Sequence, residues 1–148
     1  MILTIQREII TLQIGQCGNQ VGKQFWTQLC NEHAIGLDGL SHVPEKRQDE
    51  TNVFFNNNGD NRYTPRAILM DLEPGVINDI TTNYTNNLFN DRDIHVSKSG
   101  MSAGNIWSKG YDYADSEREL FLELIDRELD SCDNLEAFQL FHSVAGGT

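Results

Sequence analysis

The stretch Ile9-Ile10-Thr11-Leu12-Gln13-Ile14-Gly15-Gln16-Cys17-Gly18-Asn19-Gln20 decides the fold. Its first half is short, apolar and rich in β-branched residues, which reads as a buried strand. The strand stops at a glycine-bearing turn over residues 15–20. Helical periodicity follows at once: Val21, Phe25 and Leu29 are four apart, with Trp26 and Cys30 one step round the same face. Gly36 is the expected stop signal. The first unit is therefore strand, glycine turn, helix.

The same pattern recurs outward. Ala67-Ile68-Leu69-Met70 reads as a second buried strand, ending in Asp71-Leu72-Glu73-Pro74-Gly75. Pro74 suits the first turn of a helix, since its missing N–H would be unpaired there anyway, and Val76, Ile77 and Ile80 then face inward. Ile94-His95-Val96 reads as a further short strand, and Ala137-Phe138-Gln139-Leu140-Phe141 as a third buried one. Between them, Ser116-Glu117-Arg118-Glu119 has the capping-box pattern, and Leu120, Phe121, Leu124, Ile125 and Leu129 follow at helical spacing as core positions. Residues 37–63 read as a long loop with Val53-Phe54-Phe55 a short strand inside it, and residues 83–93 and 97–105 as polar or small-residue loops. Strands alternating with helices predict one α/β domain over 1–148, with a mainly parallel sheet and right-handed crossovers.

Composition narrows the function. The 148 residues carry 39% hydrophobic and 22% charged side chains, within the range of a globular domain. No stretch approaches a membrane span, and Met1-Ile2-Leu3-Thr4-Ile5 is too short for a signal peptide, so no membrane association is expected. The net charge of −11 excludes non-specific grip on a phosphate backbone, so no nucleic-acid partner is expected. Most of that charge lies in residues 110–136, where ten acids face only Arg118 and Arg127. A solvated helix face is the simpler reading, and an acidic docking surface the sharper one. Cys17, Cys30 and Cys132 are odd in number and form no Cys-x-x-Cys pair, which argues for a reduced chain without a zinc site. His33, His42, His95 and His142 have no ligand spacing, and Asn83-Tyr84-Thr85 matches a glycosylation pattern that short motifs meet by chance.

Ligands of such a sheet bind at the carboxyl ends of its strands. Four loops leave strand ends or plausible ones: 15–20, 71–75, 102–105 and 143–148. Three carry glycine beside Gln, Asn, Ser or Thr, which lets backbone N–H groups and helix N-termini approach an anion. Asp71 and Glu73 add hard oxygens of the kind a nucleotide-bound Mg²⁺ takes, or else simply cap the next helix. Gly15-x-x-Gly18 is neither Gly-x-Gly-x-x-Gly nor a Walker loop, and alone is as well read as a structural turn. His142-Ser143 is no nucleophile pair, since adjacent strand residues point to opposite faces. Together the loops read as a nucleotide pocket built largely from backbone.

Gly15-Gln16-Cys17-Gly18-Asn19-Gln20, Asp71-Leu72-Glu73-Pro74-Gly75, Ala103-Gly104-Asn105 and Ala145-Gly146-Gly147-Thr148 stand in the order found in tubulins. The resemblance covers nearly the whole chain. Within the family it is strongest to the γ-tubulins, on Arg7-Glu8-Ile9-Ile10-Thr11-Leu12-Gln13, Phe25-Trp26, Val53-Phe54-Phe55, Ile125-Asp126-Arg127-Glu128 and Ala145. Gly75, Met101-Ser102 and Ile106 depart from it and mark a divergent member.

The resemblance implies a Rossmann-like GTPase domain that binds GTP or GDP with Mg²⁺ and nucleates microtubules at the microtubule-organising centre, a spindle pole body or centrosome, in the cytoplasmic cytoskeleton. Implied partners are γ-tubulin ring or small complex proteins, α/β-tubulin and neighbouring γ-tubulin. Carried over by position, Gly15, Gln16, Cys17 and Gln20 approach the nucleotide, and Glu73 with Asp71 serves the Mg²⁺ side. Ala103, Gly104 and Asn105 lie by the terminal phosphate, while Ser143, Ala145, Gly146, Gly147 and Thr148 wrap the phosphates. No catalytic residue is assigned. Tubulins are much longer, so the chain is expected to be an N-terminal fragment ending inside the glycine-rich loop, lacking the segments for hydrolysis and marginally stable alone. Two other readings stay open: an α- or β-tubulin-like filament subunit, and a dinucleotide-binding oxidoreductase domain.

Overall fold

Side chains alternate across a strand, and along Ala67-Ile68-Leu69 that alternation divides the core in two. The computed structural model describes residues 7–41, 48–85 and 87–148. The opening Met1-Ile2-Leu3-Thr4-Ile5 run, His42 and Pro44 lie outside the described residues. The chain runs β1 (Glu8–Ile14), α1 (Gly15–Glu32), α2 (Gln48–Thr51), β2 (Phe55–Asn57), β3 (Tyr63–Pro65), β4 (Ala67–Asp71) and α3 (Pro74–Asn78). It continues through β5 (Ile94–Val96), α4 (Trp107–Ser116), α5 (Arg118–Asp130) and β6 (Leu135–Phe141).

The main sheet has the order β5-β4-β1-β6, and every pair in it is parallel. This is the mainly parallel α/β sheet expected. Ile10 and Leu12 of β1 join Ile68 of β4 and Leu124 of α5 on one face, with Phe121, Ile125 and Leu129 packed against them. Ala67 and Leu69 of β4 point to the other face and join Trp26 and Cys30 of α1, Ile77 of α3, and Ile80. The sheet is thus a middle layer between α1 with α3 and α5.

α1 buries Trp26 and Cys30 as its periodicity suggests, but not the Val21-Phe25-Leu29 line beside them. Gly15, Gly18, Asn19, Gly22, Trp26 and Cys30 are buried, whereas Val21 is 49% exposed. Phe25 and Leu29 only flank the core. The small residues let the first half of α1 lie close on the sheet, and this turns the helix so that Trp26, 1% exposed, becomes the anchor. Trp26 meets Phe25, Phe55 and Phe89 edge-on, with ring centroids 5.1, 5.4 and 6.4 Å away. Burial also pushes the Cys30 thiol up to about 12, so it stays neutral. The helix ends at Glu32, before the expected Gly36, because Ala34 takes a positive φ of 50° and closes it.

Three other stretches differ from their sequence reading. The long loop holds an antiparallel hairpin, β2 with β3, whose Phe55 is fully buried. The polar stretch after α3 contains the end of a π-helical segment, Asp79–Tyr84, and then Leu88 and Phe89, which plug the α1 side of the core. The capping box does not form: Glu117 has no side-chain cap bond, and the Ser116 hydroxyl donates to the Tyr113 carbonyl instead. This is because α4, which that reading missed, runs directly into α5 and leaves no free first turn.

β6 pairs with β1 as a parallel strand, but it is not buried as expected: Phe138 is 41% and Leu140 52% exposed. The acidic stretch runs along α4 and α5, with Asp133 and Glu136 exposed beyond them and Glu128 the buried exception. Among the described residues, no helix is long and apolar enough to cross a membrane.

The turned α1 face gives a direct test. Trp26→Ala should lose about 3–5 kcal/mol of stability, while Val21→Ala should stay within about 0.5 kcal/mol, both read from the denaturant midpoint. The reverse ranking would restore the face that the periodicity suggests.

Candidate functional site

β1 lies between β4 and β6, and the chain leaves its carboxyl end into α1. The connection through α1 leads to β4 on one side, and the one through α4 and α5 leads to β6 on the other. The ends of these strands therefore diverge around β1, the place where open α/β sheets form a crevice.

The residues expected to be a separate turn, 15–20, are the first turn and a half of α1 itself. Gly15 makes this possible: its φ of +72° lets the strand bend straight into the helix. Gly18 is needed for a second reason. A Cβ there would run into the carbonyl of Phe141, so the start of α1 lies directly against the end of β6. Asn19 ties the third side, its amide donating to the Gly15 carbonyl at 2.8 Å and the Met70 carbonyl of β4 at 3.0 Å. Those contacts bring the ends of β1, β4 and β6 to one point.

A cleft of about 260 Å³ opens there. Gly15, Gln16, Cys17 and Gln20 line it from α1, and Asp71 and Glu73 from the end of β4. Asn105 lines it from the loop before α4, and Ser143, Ala145, Gly146, Gly147 and Thr148 from the loop after β6. Of the residues singled out in sequence, Ala103 and Gly104 do not line it. Ala103 is buried behind Gly147, and Gly104 points to solvent. Ser102 and Ile14 line it instead. Ser102 was legible as a neighbour of Gly104, since its hydroxyl accepts the Gly104 N–H at 3.0 Å and shapes that turn.

The cleft's partial positive charge comes from backbone, beside the carboxylates of Asp71 and Glu73. α1, α3 and α4 begin beside it, and none has a side-chain cap bond at its N-terminus. For α1 and α4 the N-cap residues are Ile14 and Ile106, which have no oxygen to offer. Uncapped first-turn N–H groups carry partial positive charge and accept an anion readily. Among the described residues, no lysine or arginine lines the cleft. An anion here would be met by N–H groups, amides and hydroxyls.

Asp71 organises the loop from within. Its Oδ1 accepts the N–H of Leu72 at 2.7 Å and of Glu73 at 3.4 Å. Burial raises its carboxyl above the ordinary range, those N–H bonds pull it back, and the Glu73 charge adds to the rise. Glu73 is exposed at the rim. Among the described residues, no three His, Cys, Asp or Glu side chains gather as metal ligands. The Ser143 Oγ accepts the Ala145 N–H at 3.2 Å, and His142 bonds the Ser143 carbonyl rather than its hydroxyl.

A larger trough of about 850 Å³ runs beneath α4, lined by Leu12, Met70, Trp107, Tyr111 and Phe121 among others. Its apolar walls offer little to a charged ligand.

Comparison with known proteins agrees with this geometry. The model of the Tubulin/FtsZ family, GTPase domain, matches residues 8–148. The chain is similar to proteins named tubulin gamma chain: 55% identical over 145 residues to that of Eremothecium gossypii, 53% over 145 to that of Candida glabrata and 54% over 144 to that of Saccharomyces cerevisiae. Each alignment takes 95% of this chain but only 31%, 31% and 30% of the relative. The chain therefore spans about a third of the length of the curated relatives it matches.

Gly18→Ala should push the start of α1 off the end of β6, at a cost of about 1–3 kcal/mol, the scale of overpacking a tight contact. Equilibrium unfolding measures it, and an unchanged midpoint would show that the contact has slack.

Proposed function

The chain belongs to the Tubulin/FtsZ family, and on that footing we propose that residues 1–148 are the N-terminal portion of a γ-tubulin-like GTP-binding domain. One observation carries the reading. Three helices begin beside a cleft whose walls are glycine backbone, amides, hydroxyls and the two carboxylates of Asp71 and Glu73, with no basic side chain among the described residues that line it. That arrangement suits phosphates met by N–H groups.

In this reading Gly15, Gln16, Cys17 and Gln20 hold the nucleotide from α1. Ser143, Ala145, Gly146, Gly147 and Thr148 wrap the phosphates, and Asn105 closes the terminal end with Ser102 beside it. Ala103 and Gly104 act indirectly, Ala103 by backing Gly147 and Gly104 by shaping the turn before Asn105. Mg²⁺ fits the donor set. Two carboxylates, Asp71 and Glu73, face a phosphate site, which is what an ion carried by phosphate and water requires and less than a dedicated protein cage would need. The bound ion would neutralise phosphate charge that no side chain here offsets. Glu73, exposed at the rim, is the better placed of the two, because Asp71 already spends an oxygen on its own loop.

The wider activity follows from the likeness to γ-tubulin chains. The whole protein would nucleate microtubules at a microtubule-organising centre in the cytoskeleton, at a spindle pole body or centrosome. Its partners would be ring or small complex proteins, α/β-tubulin and neighbouring γ-tubulin. GTP would serve there as structural ligand and switch, and no residue of this chain is assigned to hydrolysis. The filament-subunit alternative is weaker on Ala145 and Ile125-Asp126-Arg127-Glu128. The oxidoreductase alternative lacks Gly-x-Gly-x-x-Gly after β1 and has no support from the family match.

Native mass spectrometry of the protein purified from its source tests the ligand: a retained guanine nucleotide is expected, and retained NAD would overturn the assignment. Glu73→Ala should weaken Mg²⁺-dependent GTP binding by about 1–3 kcal/mol. Unchanged affinity across a magnesium titration would remove Glu73 from that role.

A further inference from the structure

α4 is fastened to the sheet by very little. None of its ten residues is buried. The apolar trough lies between it and the strands, with Leu12 and Met70 on one wall and Trp107, Tyr111 and Tyr113 on the other. Yet the loop that enters α4 carries Ser102 and Asn105, which line the cleft. Whatever holds α4 therefore sets where those two residues lie.

Two contacts hold it. The first is backbone on backbone. A Cβ on Gly110 would overlap the carbonyl of Gly147, and a Cβ on Gly147 would meet the Ala103 Cβ at 2.6 Å and the Ile106 carbonyl at 2.8 Å. This contact joins α4 to the loop after β6, not to a strand. The second reaches the sheet itself: Nε2 of His95, on β5, lies 2.9 Å from the Tyr113 hydroxyl. Among the described residues, no other hydrogen bond joins a side chain of α4 to a strand.

Both partners of that bond are fixed. The Tyr113 ring stacks on the imidazole, with centroids 6.2 Å apart and planes 29° apart. Phe121 of α5 meets the imidazole edge-on at 5.1 Å. His95 stands opposite Met70 in the β4–β5 ladder, and two residues on the Ser97 N–H donates to the Asp71 carbonyl at 3.1 Å. The strand that carries His95 is thus tied at its end to the carboxylate loop of the cleft. Burial holds the His95 imidazole below its ordinary 6.5 against the pull of Glu117, with Lys98 adding to the fall, so the ring is neutral at pH 7. A neutral ring has one donor and one acceptor nitrogen, and a hydroxyl can serve either.

We propose that His95 and Tyr113 form a clasp that fixes α4 to β5 and so positions Ser102, Asn105 and the start of α4 at the terminal-phosphate end of the cleft. The inference rests on the nucleotide reading given above. Neither residue lines the cleft, so both are positioning residues. Groups at that end meet the phosphate that a triphosphate has and a diphosphate lacks. The clasp therefore bears on GTP more than on GDP.

Titrations of the whole protein with GTP and with GDP test this. Tyr113→Phe removes the hydroxyl and keeps the stacked ring. It should weaken GTP binding about threefold to tenfold, the scale of one hydrogen bond, and GDP binding about twofold or less. His95→Ala should do the same, and adding Tyr113→Phe to it should cost nothing further. His95→Gln keeps an amide that can meet the hydroxyl, so it should regain most of the preference for GTP, which lost packing alone would not predict. An equal loss on both nucleotides, no loss on either, or a glutamine variant no better than alanine would overturn the clasp and leave the nucleotide reading standing. An unaltered protein that binds neither nucleotide would remove that reading, and the clasp with it. Should the variants fail to fold, the unaltered protein decides. Coupling is reciprocal, so GTP must strengthen the His95–Tyr113 bond more than GDP does. The ring-nitrogen NMR resonances of His95 should then differ between the two complexes, and identical resonances refute the clasp.

Discussion

Where the first turn of α1 meets the end of β6, the carbonyl of Phe141 lies so close to Gly18 that no side chain fits between them. With Gly15 bending the strand into the helix and Asn19 bonding to the end of β4, this contact draws the ends of β1, β4 and β6 together. The cleft is a consequence of that convergence. It also accounts for the orientation of α1: a helix held this close at its start presents Trp26 to the core further along, and the hairpin and the segment after α3 supply the aromatic rings that receive it.

The two ends of the sheet use opposite chemistry. At the carboxyl ends, positive potential comes from uncapped N–H groups, which need neither a long side chain nor a proton. At the amino ends, formal charges are buried and must be matched one by one. Glu8 and Arg66 are matched as an ion pair. α5 links the two ends, since it carries Glu128 and leads into the strand whose far end wraps the cleft.

Much of this was legible in the residues. The β-branched run before Gly15, Pro74 after Asp71 and Glu73, and the small-residue loops all encode their structure locally, and each appeared where the pattern placed it. The cleft was legible as a set of strand-end loops for the same reason: α/β topology brings the carboxyl ends of parallel strands together. The misreadings share one cause. The inward face of α1, the hairpin around Phe55, the plug of Leu88 and Phe89, and the exposure of β6 depend on what packs against them, and periodicity does not report that. Ala103 and Ser102 exchanged places for a similar reason: which side of a turn faces a cleft is set by its neighbours, here Gly147.

The residues by themselves determined the alternation of strands and helices, the parallel sheet and the glycine-bearing loops at its strand ends, because hydrophobic period, proline and glycine act over a few neighbours. Only the tertiary structure decided which face of α1 is buried, which loop residues line the cleft, and that the charged Asp93 and Glu128 are buried. Those outcomes depend on distances between segments remote in sequence, and on desolvation that exists only once the chain has packed.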